Sequence, residues 1–168
     1  MQPGRTPNWN IVGDLEPSAW LEAVRPASDD RLLLPVSLRK RVDWAVTTAS
    51  LPLLASIDPA GEVTVLPLSK VSGRLAAIRL ALNNAKGDER SKLSFAAMAT
   101  HSQIALLPDG RLRLSPTLAL HLDTGSNGPV WVGAYSNIIK LWPDKVWKGI
   151  LGRTSGSLRD AMTAAEPS

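Results

Sequence analysis

With 168 residues, 44% of them hydrophobic, the chain is long enough to bury a core and too apolar to remain disordered. It has no cysteine, which excludes disulfides, thiolate catalysis and cysteine metal sites, and two histidines leave too few ligands for a structural zinc. Charges interrupt every apolar run, and the first residues lack the basic-then-apolar layout of a secretory signal, so a soluble, cytoplasmic protein with no membrane contact is expected.

The net charge is +4, and its placement says more than its sum. Residues 1–30 hold Arg5 and Arg25 against Asp14, Glu16, Glu22, Asp29 and Asp30, a net of −3. Residues 31–41 hold Arg31, Arg39, Lys40 and Arg41 with no acid. Residues 69–92 add Lys70, Arg74, Arg79, Lys86, Arg90 and Lys92 against Asp88 and Glu89. Cations segregated in this way suit a polyanionic partner, although solvated basic faces give the same pattern.

In chain order, residues 1–28 read as a loosely structured arm. Pro3, Gly4 and Pro7 punctuate it, and residues 14–24 are expected to form a short helix with Pro17 in its first turn. Trp9 and Trp20 suit anchors that dock the arm on the core. Alternation then predicts a strand over 31–34, followed by a short helix over 36–42 and a strand over 51–57. Asp58-Pro59-Ala60-Gly61 has the residues of a type I turn, and a strand over 62–66 completes a hairpin. Val71, Leu75, Ile78 and Leu82 recur at helical spacing, with Arg74 and Arg79 off that stripe. After a break at 83–88, a second short helix over 89–99 is expected to turn Leu93, Ala96 and Ala97 inward. Strands over 103–107 and 111–114 follow, then a helix over 116–122 with Ser115 as its cap and Pro116 in its first turn. A polar loop over 123–128 leads to strands over 130–135 and 137–142 and to a final short helix opened by Pro143. Beyond Leu151 the small, polar composition predicts a mobile tail.

One stretch is written twice, eighty positions apart. Asp109-Gly110-Arg111-Leu112-Arg113-Leu114-Ser115-Pro116 is a turn, an alternating strand and a helix entry. Arg31 falls on Arg111, Leu32 on Leu112, Leu34 on Leu114, Leu38 on Leu118, Val42 on Leu122 and Asp43 on Asp123. Leu51-Pro52-Leu53-Leu54-Ala55-Ser56 matches Trp131-Val132-Gly133-Ala134-Tyr135-Ser136 more loosely. Thr64-Val65-Leu66-Pro67 then matches Lys140-Leu141-Trp142-Pro143 once a four-residue gap is placed at 58–61. The expected organisation is an arm (1–28), a β-rich repeat (29–69), a helical linker (70–102), a second repeat (103–151) and a flexible tail (152–168). The class is α+β, mainly β with short helices.

A turn ending in Gly-Arg, an apolar strand, a proline, a short helix and a returning hairpin resemble the SpoVT/AbrB swapped-hairpin superfamily. Two such units bridged by helices resemble the MraZ family of bacterial transcriptional regulators within it. The second half carries the likeness best, in residues 103–111, in the strand up to Pro116, in Val130-Trp131-Val132-Gly133 and in Leu141-Trp142 before the last helix. The likeness spans residues 29–150 and implies two swapped-hairpin β-barrel repeats. It also implies that a loop arginine reaches DNA, here Arg31 and Arg111. The family's signature places an Asp four residues before that arginine, where this chain has Ala27 and Leu107; Gly110 is kept, but its counterpart is Asp30. Asp29 and Asp109 are the acids left to hold the two turns from a shifted position.

The candidate DNA contacts are therefore Arg31, Arg39, Lys40 and Arg41 in the first repeat and Arg111 and Arg113 in the second. Guanidinium pairs bidentately with phosphate or guanine, which lysine does not imitate. The structural alternative pairs these arginines with Asp43 and Asp123, or leaves them in water. Three or four cations per repeat bind weakly, so a homo-oligomer on double-stranded DNA is expected. His121-Leu122-Asp123 lacks a third partner for catalysis or a metal, and residues 124–128 lack the lysine and spacing of a phosphate loop. Trp131, Trp142 and Trp147 suit the core or an oligomer interface better than ligand stacking. The expectation is a transcriptional regulator with no cofactor, no metal and no catalysis, located in the cytoplasm or on the nucleoid. Its rival is an antitoxin-like or assembly protein that kept the fold and lost DNA binding with the two aspartates.

Overall fold

The computed structural model describes residues 10–126 and 128–166. The chain is α+β. The first half contains α1 (Ile11–Leu15), β1 (Trp20–Val24), β2 (Arg31–Leu33), α2 (Val36–Arg39), β3 (Leu51–Ile57) and β4 (Val63–Pro67). A 3-10 turn (Leu68–Lys70), α3 (Ser72–Asn84) and α4 (Gly87–Thr100) form the connection. The second half contains β5 (His101–Leu106), β6 (Arg111–Arg113), α5 (Pro116–Leu122), β7 (Val130–Tyr135), β8 (Ile138–Pro143) and α6 (Asp144–Ala165).

All eight strands join one antiparallel, nearly closed sheet in the order β1-β7-β8-β4-β3-β5-β6-β2. The pairs β3–β4, β7–β8 and β5–β6 form within one half, and the remaining pairings cross between halves. β1 pairs with β7, β5 with β3, and β2 with β6. The crossing is reciprocal: Arg31 faces Arg113, Leu32 faces Leu112 and Leu33 faces Arg111, so a shift by eighty maps the ribbon onto itself. Two backbone bonds repeat the pattern, Leu34 N–H to Gly110 O (3.0 Å) and Leu114 N–H to Asp30 O (2.7 Å).

The core follows the same rule. Leu32 and Leu112, Leu34 and Leu114, Leu38 and Leu118, and Val42 and Leu122 are all buried in one cluster, with Leu53, Val65, Leu106, Val132 and Leu141 from the longer strands. Period-two alternation supplies these residues from the strands, while α2 and α5 each add an apolar face. Each fully buried leucine stabilises the fold by about 2 kcal/mol through removal from water.

The hairpin tips differ. In β3–β4, Asp58 O accepts from Gly61 N–H, and Gly61 takes φ +93° to rejoin the ladder as a bulge. In β7–β8 two residues suffice, Ser136 and Asn137, both at positive φ as a type I′ turn requires. Each tip docks on the other half. His121 Nε2–H of α5 donates to Gly61 O (2.8 Å), while Asn137 O accepts from Trp44 Nε1–H (2.7 Å) and Asn137 Oδ1 from Asp43 N–H (3.0 Å).

Several expectations need correction. Residues 20–24 are an edge strand, not helix, because β7 offers them a hydrogen-bonding partner that no local pattern reveals. Leu53↔Pro67 corresponds to Val130↔Pro143, so three residues of the four-residue gap lie between α2 and β3 and only one at the hairpin tip. α4 and α6 are longer than expected, α2 stops three residues early, and helical residues outnumber those of the strands, so the chain is not mainly β. α3 and α4 bury no residue fully; Ala96 is exposed, and Phe95 and Met98 are each 69% exposed. α6 continues as a helix through the segment expected to be a mobile tail, packing on β7 and β8 only near its start. Trp9 lies outside the described residues, whereas Trp20 does pack on the core. No helix among the described residues is long and apolar enough to cross a membrane.

Candidate nucleic-acid interface

β2 and β6 form a three-residue ribbon with two unlike faces. Leu32 and Leu112 point into the core at 0% exposure, so Arg31, Leu33, Arg111 and Arg113 lie on the opposite, outer face. Arg31 and Arg113 are direct cross-strand neighbours, a like-charge pairing that destabilises a sheet. Neither side chain hydrogen-bonds to any described residue.

The turns leading into the ribbon share a backbone frame. Leu107 N–H donates to Arg111 O (2.8 Å), and Ala27 N–H donates to Arg31 O (3.0 Å). Ala27 and Leu107, each four residues before its arginine, thus open equivalent turns. Beyond the backbone the turns diverge. Asp109 Oδ1 accepts from Arg111 N–H (3.0 Å) and Oδ2 from Arg111 Nη1 (2.7 Å). The Arg111 backbone N–H is the main cause holding the Asp109 carboxyl below the usual carboxylate range; partial desolvation opposes this, and the Arg111 guanidinium and Arg31 charge assist it. Asp109 therefore holds its turn, as expected of an acid in a shifted position. Asp29 makes no such contact with Arg31. Its carbonyl instead accepts from buried Thr124 Oγ1, and the neighbouring Asp30 accepts from Ser28 Oγ (3.1 Å).

The three consecutive cations of the first half separate. Lys40 is exposed. Arg39 is half-buried, donates from Nε to Leu34 O (3.2 Å) and lies against Gly110 of the other half. Arg41 turns to the N-terminal segment, donating to Pro17 O (2.8 Å) and Gly13 O (3.3 Å) with its guanidinium 4.6 Å from the Trp20 ring centroid. In this arrangement it clamps the N-terminal segment onto the core. Its cation–π contact accounts for part of the docking of Trp20. Successive helical residues point about 100° apart, so one basic run serves three surroundings.

In the second half the corresponding helix presents Ala119, 83%-exposed Leu120 and His121, whose ring holds the Gly61 carbonyl. Ser115 Oγ accepts from Leu118 N–H (3.2 Å), the expected cap. Asp43 pairs with Lys70 (3.8 Å), and no ion pair joins Asp43 or Asp123 to a ribbon arginine among the described residues. The described residues contain no cluster of three or more His, Asp or Glu able to hold a metal. The tryptophans pack on one another: Trp147 of α6 lies 5.4 Å from Trp131 and 5.1 Å from Trp142 between ring centroids. Trp131 Nε1–H donates to Asp144 and Trp142 Nε1–H to Glu62, which also pairs with Lys140.

Sequence reasoning missed Leu33 as an outward-facing member of the ribbon and Gly110 as a contact of Arg39. The first was accessible from the reciprocal pairing that the eighty-residue repeat allows; the second had no local signal. No family model matches this chain, and no curated protein matches it in sequence.

Proposed function

We propose that the protein is a DNA-binding regulator of the AbrB/MraZ type, built from two swapped-hairpin repeats and acting as a homo-oligomer without a cofactor or catalysis. The observation that carries this reading is the outer face of the β2–β6 ribbon, where Arg31 stands opposite Arg113 with Arg111 beside them. A sheet gains nothing from such a pairing, whereas an anionic ligand turns it into a site. β2 is the edge strand of the sheet, with β6 and then β5 behind it, so these arginines line a sheet edge roughly 10 Å long that can lie along a duplex. Arg31, Arg111 and Arg113 would contact the duplex, with Lys40 adding a phosphate contact. Few side chains reach base edges, so DNA deformability would supply part of any sequence preference. Residence in the cytoplasm, on the nucleoid, goes with this reading.

The test is fluorescence anisotropy with a random duplex across a salt series, comparing wild type with Arg31→Ala/Arg111→Ala/Arg113→Ala. Three or four contacts per chain predict a slope of log K against log salt of about −3 to −4 per bound chain, lost in the triple variant. Wild-type protein that stays unbound at low salt would sink the DNA reading. A second reading, an antitoxin-like or assembly protein, draws on Phe95 and Met98 of α4 and Leu151, Leu158 and Met162 of α6. These apolar side chains are exposed along helices. The same anisotropy result decides between the two.

A further inference from the structure

Arg39 belongs to the basic run expected to grip phosphate, yet its guanidinium lies within the fold of the second half. A Cβ placed on Gly110 would come 2.6 Å from Arg39 Cζ, 2.8 Å from Nε and 2.9 Å from Nη2, so the planar group rests on the bare glycine backbone. Gly110 also adopts φ +91°, a conformation that side-chain-bearing residues rarely take. Nε of Arg39 donates to Leu34 O, and Leu34 N–H donates to Gly110 O, so one guanidinium touches both strands where the ribbon begins. Immediately beyond, Asp109 fixes both the N–H and the guanidinium of Arg111.

We propose that Arg39 is a positioning residue: it latches the Asp109-Gly110-Arg111 turn so that Arg111 stands on the outer face of the ribbon, and it does not itself bind phosphate. Its consequence for DNA rests on the function proposed above; the latch itself does not. The molecule contains its own comparison. At the equivalent place in the other half, Ala119 stands for Arg39 and Asp30 for Gly110, and no carboxylate hydrogen-bonds to Arg31 among the described residues. Glycine and arginine occur together in one half and are both absent from the equivalent places in the other.

The experiment uses the full-length chain with Arg39→Ala, Arg39→Lys and, as a phosphate-contact control, Lys40→Ala. Duplex affinity is measured across a salt series, and hydrogen exchange is followed at the amides of Leu34, Gly110 and Arg111, with Leu32 and Leu112 reporting the core. Arg39→Ala is expected to weaken binding about tenfold with the wild-type salt slope, because no phosphate contact is lost. It should speed exchange at Gly110 and Arg111 by about tenfold or more while Leu32 and Leu112 stay protected. Arg39→Lys should fail to rescue either property, since an ammonium keeps the charge but not the planar surface. Lys40→Ala should lower the slope by about one.

A slope reduced by about one in Arg39→Ala, with turn exchange unchanged, would make Arg39 a phosphate contact and overturn the latch. Rescue by lysine, or faster exchange throughout the core, would overturn it as well. If wild type binds no duplex, the regulator reading fails, and exchange at Gly110 and Arg111 decides the latch alone: faster in Arg39→Ala sustains it, unchanged overturns it.

Discussion

The two turns that feed the β2–β6 ribbon share a backbone and differ in almost every side chain. The second holds its arginine with a carboxylate, a left-handed glycine and a guanidinium borrowed from the other half. The first leaves the Arg31 side chain without a hydrogen bond among the described residues and ties its backbone through Thr124 instead. Equivalent strand pairing therefore does not require equivalent local chemistry. Buried leucines and cross-strand hydrogen bonds set the frame, and the exposed turn is free to diverge on top of it.

The comparison breaks most visibly in the core. Leu32→Ala and Leu112→Ala should each cost about 3 kcal/mol by urea unfolding, because each leaves a cavity at a fully buried site. Equivalence demands similar losses. As the two residues face each other, the double variant should depart from the sum of the singles. A loss confined to one of them would show that the halves do not contribute alike.

Next in size is the glycine. Gly110→Ala forces a side-chain-bearing residue into a positive φ and displaces the Arg39 guanidinium, and should cost about 2 kcal/mol in the same assay, most of it from the backbone. At the equivalent position Asp30 has no positive φ, so Asp30→Gly should change stability by no more than about 1 kcal/mol. Ser115→Ala removes a cap that α2 lacks, since Pro35 makes no side-chain capping bond, and should cost about 1 kcal/mol. No change would mean that tertiary packing alone holds the start of α5.

The smallest effect is a pH dependence. The Asp109 carboxyl is held below the usual range when folded, so its contribution is present above its unfolded value of about 4 and is lost as pH falls through the folded value. Asp109→Asn should be slightly less stable than wild type near pH 7, with the gap closing below pH ~4. A gap independent of pH would assign the effect to hydrogen bonding rather than charge.

Much of the frame was legible because burial and repetition leave the same mark. Leu32, Leu34 and Leu38 recur as Leu112, Leu114 and Leu118, and the Ser115-Pro116 entry to α5 obeys local capping chemistry. What depends on distant partners was not legible. Trp20–Val24 is a strand only because Val130 to Ala134 lie beside it, more than a hundred residues later. α6 looked short because Gly149, Gly152 and Gly156 each lower helix propensity by about 1 kcal/mol. Its apolar residues Trp147, Leu151, Leu158 and Met162 nevertheless fall on one side at helical spacing. At the candidate interface, the repeat singled out Arg31, Arg111 and Arg113 as candidates, but the basic run could not separate Arg41, a clamp on the arm, from Lys40 beside it.

The crossed strand pairing also constrains how the chain comes into being. As it emerges during synthesis, the first half can complete only the β3–β4 hairpin, since β1 and β2 wait for β7 and β6. Closing the sheet means joining segments across long loops, an entropic search that puts such topologies among the slower folders. Until β6 and β7 arrive, β1 and β2 are unpaired edges with apolar faces. In the cell, the interval before the second half is made is when this protein is most exposed to aggregation or to a chaperone's attention.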